Sequence, residues 1–224
     1  YEIPLRLVGL GDVYKRQIMC MILGATAFGM DTNKDPEILA SATLVNNETG
    51  EVIELPMTLT ESKKISPQTR SVNGVETIER TYKAGITIPE NNDGVMPLMT
   101  NQGHDGTYSY IGDISITFDR YYDSAKKDYA LVLKEFTGSW TKKDSAVSIS
   151  KQKYSYACNN AGLAKEQAVV EKSFSGSISK KTGFTIPVYE EESTSICGGE
   201  ILGTFSRTLG SSWQGRVKCY AVNK

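Results

Sequence analysis

Apolar and polar residues alternate in short runs along most of the chain, and turn-forming residues separate the runs about every ten positions. The clearest run is Thr107 to Tyr122, with Ile114, Ile116 and Phe118 on one face against Ser115, Thr117 and Asp119 on the other. Tyr121 to Asp128 reads as a turn region, and Tyr129 to Trp140 runs back. Period-two alternation of this kind marks a sheet with one buried face. Upstream, Ala42–Asn46 and Glu51–Thr60 flank Asn47-Glu48-Thr49-Gly50 as a hairpin, in which Pro56 makes the second run an edge strand or bulges it. Lys63 to Gly74 reads as a loop, and Glu76 to Ile88 as a strand with Ile86 and Ile88 on one face.

Asn91 to Gly106 is a long loop rich in Asn and Gly, with Pro97 within it. Beyond the central hairpin, strands are expected at Ala146–Tyr156 and Gln167–Phe174, a turn over Gly176–Gly183, and a short Pro-interrupted edge strand at Phe184–Tyr189. Glu190–Gly199 reads as a loop. Ile201–Thr208 and Ser212–Val222 close the chain, the last with Trp213, Gly215, Val217, Cys219 and Ala221 on one side. No stretch has a helical period long enough for a parallel crossover. The expectation is an all-β, antiparallel two-sheet sandwich, Ig-like in general architecture. Residues 31–105 supply the first hairpin, a strand and loops, 106–224 the body of the sandwich, and 31–224 form one folded unit.

The first 30 residues stand apart from this pattern. Asp12-Val13-Tyr14-Lys15-Arg16-Gln17 back-translates to GAT-GTG-TAT-AAG-AGA-CAG, the mosaic end of transposase-made libraries, and Gly9-Leu10-Gly11 and Tyr1-Glu2-Ile3 fit its flanks. Residues 1–17 therefore resemble translated sequencing adapter. Residues 18–30 are apolar and uncharged and contain Ala25-Thr26-Ala27, which reads as the apolar region and cleavage site of a truncated secretory signal peptide. The stretch is shorter than the ~20 apolar residues a membrane span needs. The expected location is secreted, extracellular, with no membrane span in the mature form.

Composition and charge narrow the function classes. With 25 basic and 26 acidic residues there is no field to steer the chain to nucleic acid. Without the leader, Cys158, Cys197 and Cys219 remain, none in a C-x-x-C pair. In an exported chain they are disulfide candidates, with one thiol left over and the connectivity open. If strands alternate up and down, all three fall at one end, Cys197 in a loop; a bond involving Cys158 is favoured over a three-thiolate metal site. No cofactor and no metal are expected.

Catalytic signatures are absent. His104 is the single histidine, with no G-x-S-x-G elbow to accompany it. Asp31-Thr32-Asn33-Lys34-Asp35 opens like a calcium loop, but Pro36 and Ala42 stand where glycine and glutamate belong. Gly176–Thr182 lacks the glycine of a phosphate loop. Asp113, Asp119, Asp123 and Asp128 could supply a hydrolase pair, yet solvated strand acids are the ordinary case. Trp140 and Trp213 read as core anchors. Tyrosines are the best remaining feature: Tyr121, Tyr122, Tyr108 and Tyr110 are candidate ligand-binding residues, set against the alternative that strand tyrosines pack across the sheet.

The order Gly106-Thr107-Tyr108-Ser109, Gly138-Ser139-Trp140-Thr141, Val147-Ser148-Ile149-Ser150, Tyr154-Ser155-Tyr156, Thr182-Gly183-Phe184 and Ser211-Ser212-Trp213 resembles uncharacterised small exported proteins of Gram-positive bacteria. That resemblance implies a secreted β-sandwich and transfers no catalytic residue. The expected function is a non-enzymatic interaction module for a cell-surface glycan or an extracellular protein. The alternatives are a secreted antimicrobial or toxin-like factor and a carboxylate-based cell-wall hydrolase.

Overall fold

The computed structural model describes residues 36–65, 74–88, 108–160, 167–208 and 210–224. The adapter-like and leader-like segments, the calcium-like loop and His104 lie outside them. The chain opens with the expected hairpin of β1 (Leu39–Asn46) and β2 (Val52–Leu55). Asn46 Oδ1 accepts the N–H groups of Glu48 and Thr49 at 2.8 and 3.2 Å, and Gly50 closes the reversal at a φ of 73°. Pro56 then splits the run expected as one strand. It ends β2 at the edge of one sheet, and β3 (Met57–Ile65) starts at once at the edge of the other. Proline has no N–H for a ladder, so the crossing between sheets falls where a ladder bond would have been missing.

β4 (Glu76–Ile86), β5 (Tyr110–Asp123) and β6 (Asp128–Lys142) extend the second sheet as a meander. β7 (Val147–Asn160) and β8 (Ala168–Ser173) belong to the first sheet. β9 (Ser177–Lys181) and β10 (Val188–Tyr189) then share the outer edge of β6, and β11 (Ser195–Arg207) and β12 (Ser212–Asn223) complete the first sheet. The orders are β2-β1-β12-β11-β7-β8 and β10-β6-β5-β4-β3, with β9 also on β6: two antiparallel six-stranded sheets in a sandwich-like arrangement. At the exposed edge, Glu171 in β8 takes a φ of 43° next to a register shift, which twists that edge away from further pairing.

Five expectations need correction. The edge strand expected over Phe184–Tyr189 shrinks to the two residues of β10, because Pro187 has no N–H for a ladder. Lys63 to Gly74 is not all loop, because β3 runs to Ile65. Gly176 to Gly183 is not simply a turn: β9 lies within it. β11 begins at Ser195, so Cys197 is a strand residue. β5 and β6 reach Asp123 and Asp128, which leaves 124–127 as the turn and puts Tyr121 and Tyr122 on a strand.

The core holds the predicted inward faces: Ile114, Ile116 and Phe118 of β5, and Trp213, Val217, Cys219 and Ala221 of β12. Trp140 meets Phe205 edge-on at 5.2 Å and donates from Nε1 to the Leu202 carbonyl at 3.3 Å, bonding sheet to sheet. Glycines set how closely the sheets approach. A Cβ on Gly138 of β6 would stand 2.5 Å from Ile201 Cγ2 of the facing sheet, and one on Gly199 of β11 would stand 2.6 Å from Phe136 Cε2. Each glycine leaves the socket that a large side chain from the other sheet fills.

Gly138→Ala should therefore lower stability by about 1–3 kcal/mol through overpacking. Gly210→Ala, whose added carbon would find only Arg207 Cβ at 3.5 Å, should change it by less than about 0.5 kcal/mol. Thermal or denaturant melts of the two variants check the difference.

Candidate functional site

Several hydrogen-bonded polar side chains meet at the end of the sandwich where β5 turns into β6. Asp123 builds that turn. Its Oδ1 accepts the N–H groups of Ala125 and Lys126 at 2.9 and 3.2 Å, while Lys127 takes the left-handed φ of 56° that reverses the chain. Its Oδ2 accepts the Tyr189 hydroxyl at 2.8 Å, which ties β10 to the turn. Asp128 Oδ2 accepts the Glu191 N–H at 3.0 Å. Arg120 forms a two-point ion pair with Glu190 at 2.7 and 3.2 Å and lies 3.5 Å from the centroid of the Tyr129 ring. Planar guanidinium chemistry suits both contacts at once.

Beside this network a cavity of about 290 Å³ opens between the end of β7 and β10. Cys158 and Asn160 of β7 form one wall and Pro187, Val188 and Tyr189 the other, with Lys126 and Glu192 also lining it. Gln167, 5% exposed, uses its whole amide to hold the walls: Nε2 donates to the Cys158 and Ile186 carbonyls at 2.6 and 2.7 Å, and Oε1 accepts the N–H groups of Thr185 and Ile186, both at 2.8 Å. Asn160 Nδ2 donates to Glu192 at 2.7 Å, and its Oδ1 accepts the Thr194 hydroxyl. Ile186, 50% exposed, forms an apolar lip. Lys126 Nζ stands 5.6 Å from the Tyr189 ring centroid. Such a mixture of apolar wall and oriented polar groups is the ordinary make-up of a small-ligand pocket.

The tyrosines separate into roles. Tyr110 is 3% exposed, packs edge-on against Phe205 at 5.0 Å and donates to the Val147 carbonyl, so it belongs to the core and not to a contact surface. Tyr108 is half-buried with its ring over Gly85, where an added Cβ would stand 2.3 Å away. Tyr121 packs against the core, and burial raises its hydroxyl pKa. Tyr122 remains 44% exposed, edge-on to Tyr129 at 5.4 Å. Gln167, Glu190 and Glu192 were not singled out from sequence. No local pattern marks them, because contacts between segments far apart along the chain bring them together.

The four aspartates do not offer a free hydrolytic pair. Asp113 and Asp119 are on one strand six residues apart, roughly 20 Å at about 3.4 Å per residue, against the ~5–10 Å such pairs need. Asp123 and Asp128 do face each other in the register, but both carboxylates are engaged in the bonds above. Hydrogen bonds, first from Tyr189, hold Asp123 below the ordinary carboxylate value, which is the wrong direction for a general acid. Among the described residues no three His, Cys, Asp or Glu side chains gather as metal ligands. No helix among them is long and apolar enough to cross a membrane.

All three candidate cysteines are buried thiols. Cys158 Sγ bridges the sheets: it accepts the Leu133 N–H at 3.4 Å and donates to the Leu131 carbonyl at 3.5 Å. Leu133 sits where β6 has no edge partner, between its pairings with β10 and β9. Its carbonyl is taken by the Thr182 hydroxyl. A hydrogen bond with Cys197 lowers the Cys158 pKa, with help from the Leu133 and Val188 N–H groups, and the same pairing raises that of Cys197. Burial pushes Cys219 up to about 12.

Two outcomes follow. Asp123 and Asp144 are both lowered from 3.8, the first mainly by Tyr189 and the second mainly by the Ala146 N–H. A depressed carboxylate stabilises the fold above its unfolded value and loses that contribution as pH falls, so melting temperature should drop on acidification below pH about 4. Asp123→Asn should show a shallower drop in a pH series of melts. Separately, Arg120→Met should destabilise by about 1–3 kcal/mol by leaving Glu190 without its partner, and Glu190→Gln in the same chain should recover part of the loss. A double-mutant melt cycle reads the coupling.

No protein family, curated protein or solved structure matches this chain in the comparisons made.

Proposed function

We propose that this chain is an exported, non-enzymatic interaction module that holds one or two sugar rings of a cell-surface glycan in the cavity between the end of β7 and β10. The observation that carries this reading is the cavity: about 290 Å³, walled by Tyr189 and Ile186 and edged by Lys126, Asn160 and Glu192. A sugar ring offers an apolar C–H face and a circle of hydroxyls. Aromatic and aliphatic wall atoms suit the first, and an amide, a carboxylate and an ammonium suit the second. The volume lies at the small end of ligand pockets, which fits a short ligand or the end of a chain.

The binding walls are fixed before a ligand arrives. Tyr189 is pinned by Asp123, and Gln167 locks the segment that carries Ile186. Preorganisation of that kind reduces the ordering cost of binding. Export is supported by the apolar run of residues 18–30 with its Ala25-Thr26-Ala27 site, and by the resemblance to exported proteins.

Screening the full chain on a glycan array, then titrating the best hits by calorimetry, tests the proposal. Lys126→Ala and Glu192→Gln should each weaken the hit by about tenfold, equivalent to about 1.4 kcal/mol, without changing the melting temperature. Silence across the array, or a hit indifferent to both substitutions, contradicts the reading.

A further inference from the structure

Cys158 and Cys197 are direct partners in the register of β7 and β11. The kind of pair matters, because antiparallel partners alternate between two spacings. The Ser195 carbonyl accepts the N–H of Lys224, the residue that follows β12, so the backbone groups of Ser195 point towards β12. Alternation along the strand turns those of Ile196 towards β7 and those of Cys197 towards β12 again. The Cys158–Cys197 pair is thus the non-hydrogen-bonded kind, in which Cα atoms stand about 4.5 Å apart and side chains are closest. That spacing lies inside the range of roughly 4.4–6.8 Å found in disulfides. The two thiols are close enough for each to shift the other's pKa, Cys158 down and Cys197 up. Cys219 is placed differently: its register partners are Gly199 on one side and Ala40 on the other, and no cysteine stands opposite it.

We propose that Cys158 and Cys197 are joined by a disulfide across β7 and β11, with Cys219 remaining a thiol. The oxidant is a disulfide of the glutathione class. One cysteine thiolate attacks it, forming a mixed disulfide and releasing one glutathione thiolate. The second cysteine thiolate then attacks the protein sulfur of that mixed disulfide, closing Cys158–Cys197 and releasing the second. The two protons lost by the cysteines end on the two released thiols, so two electrons pass from protein to oxidant.

Both sulfurs are 0% exposed once the sheets have closed, so exchange takes place while β7 and β11 are still coming together. The bond then fixes the β7 wall of the cavity to β11. The inference rests on strand register and not on the glycan reading, and export supplies only the oxidising surroundings.

The test refolds the full chain from denaturant in a buffer of oxidised and reduced glutathione, caps free thiols with N-ethylmaleimide, and maps the unreduced digest by mass spectrometry. The expected dominant product links the Cys158 and Cys197 peptides and leaves Cys219 capped, and Cys219→Ser gives the same link. Native protein prepared with its thiols reduced should oxidise at least tenfold more slowly in the same buffer than the refolding chain. A dominant link from Cys20 or Cys219 to either partner, or wild-type protein with Cys158 and Cys197 both capped, overturns the proposal. Equal oxidation rates for the folded and refolding protein overturn the claim that closure of the sheets controls access.

Discussion

Glycines on both sheets leave room for large side chains from the opposite face. Gly138 on one sheet takes Ile201 from the other, and Gly199 on that second sheet takes Phe136 in return. These reciprocal sockets fix both the distance between sheets and the alignment of β6 against β11. Everything else at the interface follows from that alignment: the Trp140 indole reaching the Leu202 carbonyl, the edge-on Trp140–Phe205 contact, and the stacking of Phe136 near Tyr154 and Tyr156. Interiors pack at near-crystalline density, so a methyl added to a socket cannot be absorbed by slack.

The same alignment explains the break in the edge of β6. Two short strands, β9 and β10, share that edge and leave Leu133 between them. An unmet buried N–H is costly, and here a cysteine thiol from the other sheet and a threonine hydroxyl take the places of ladder partners. The chain between β9 and β10 then turns away from β6, and Gln167 bridges it to the end of β7. The cavity is the space that this detour opens. One wall comes from the interrupted edge and the other from the end of β7, which is why a site arises at this end of the sandwich.

Much of the fold was legible because burial on one face of a strand writes a period of two into the sequence. Ile114, Ile116 and Phe118, and the Trp213 to Ala221 face, follow that rule and lie inside. β9 was hidden because it is an outer strand with little buried surface, so Ser177 to Lys181 shows no apolar face strong enough to mark it. The start of β11 was hidden for a different reason: Gly198-Gly199 reads as a reversal, yet Gly199 sits mid-strand to admit Phe136. The site was less legible still. Tyr122 was identified and is exposed, Tyr110 was identified and is core, and Gln167 carries no local signal because its four bonds go to Cys158 and to Thr185 and Ile186, all far from it along the chain.

The most direct measurement of the central claim is nuclear magnetic resonance at the two sockets in the folded full chain. The account predicts nuclear Overhauser contacts from the Phe136 ring protons to Gly199 Hα, with that proton shifted upfield by the ring, and from an Ile201 methyl to Gly138 Hα. A folded, well-dispersed spectrum in which Gly199 Hα is unshifted and neither contact is present would contradict it.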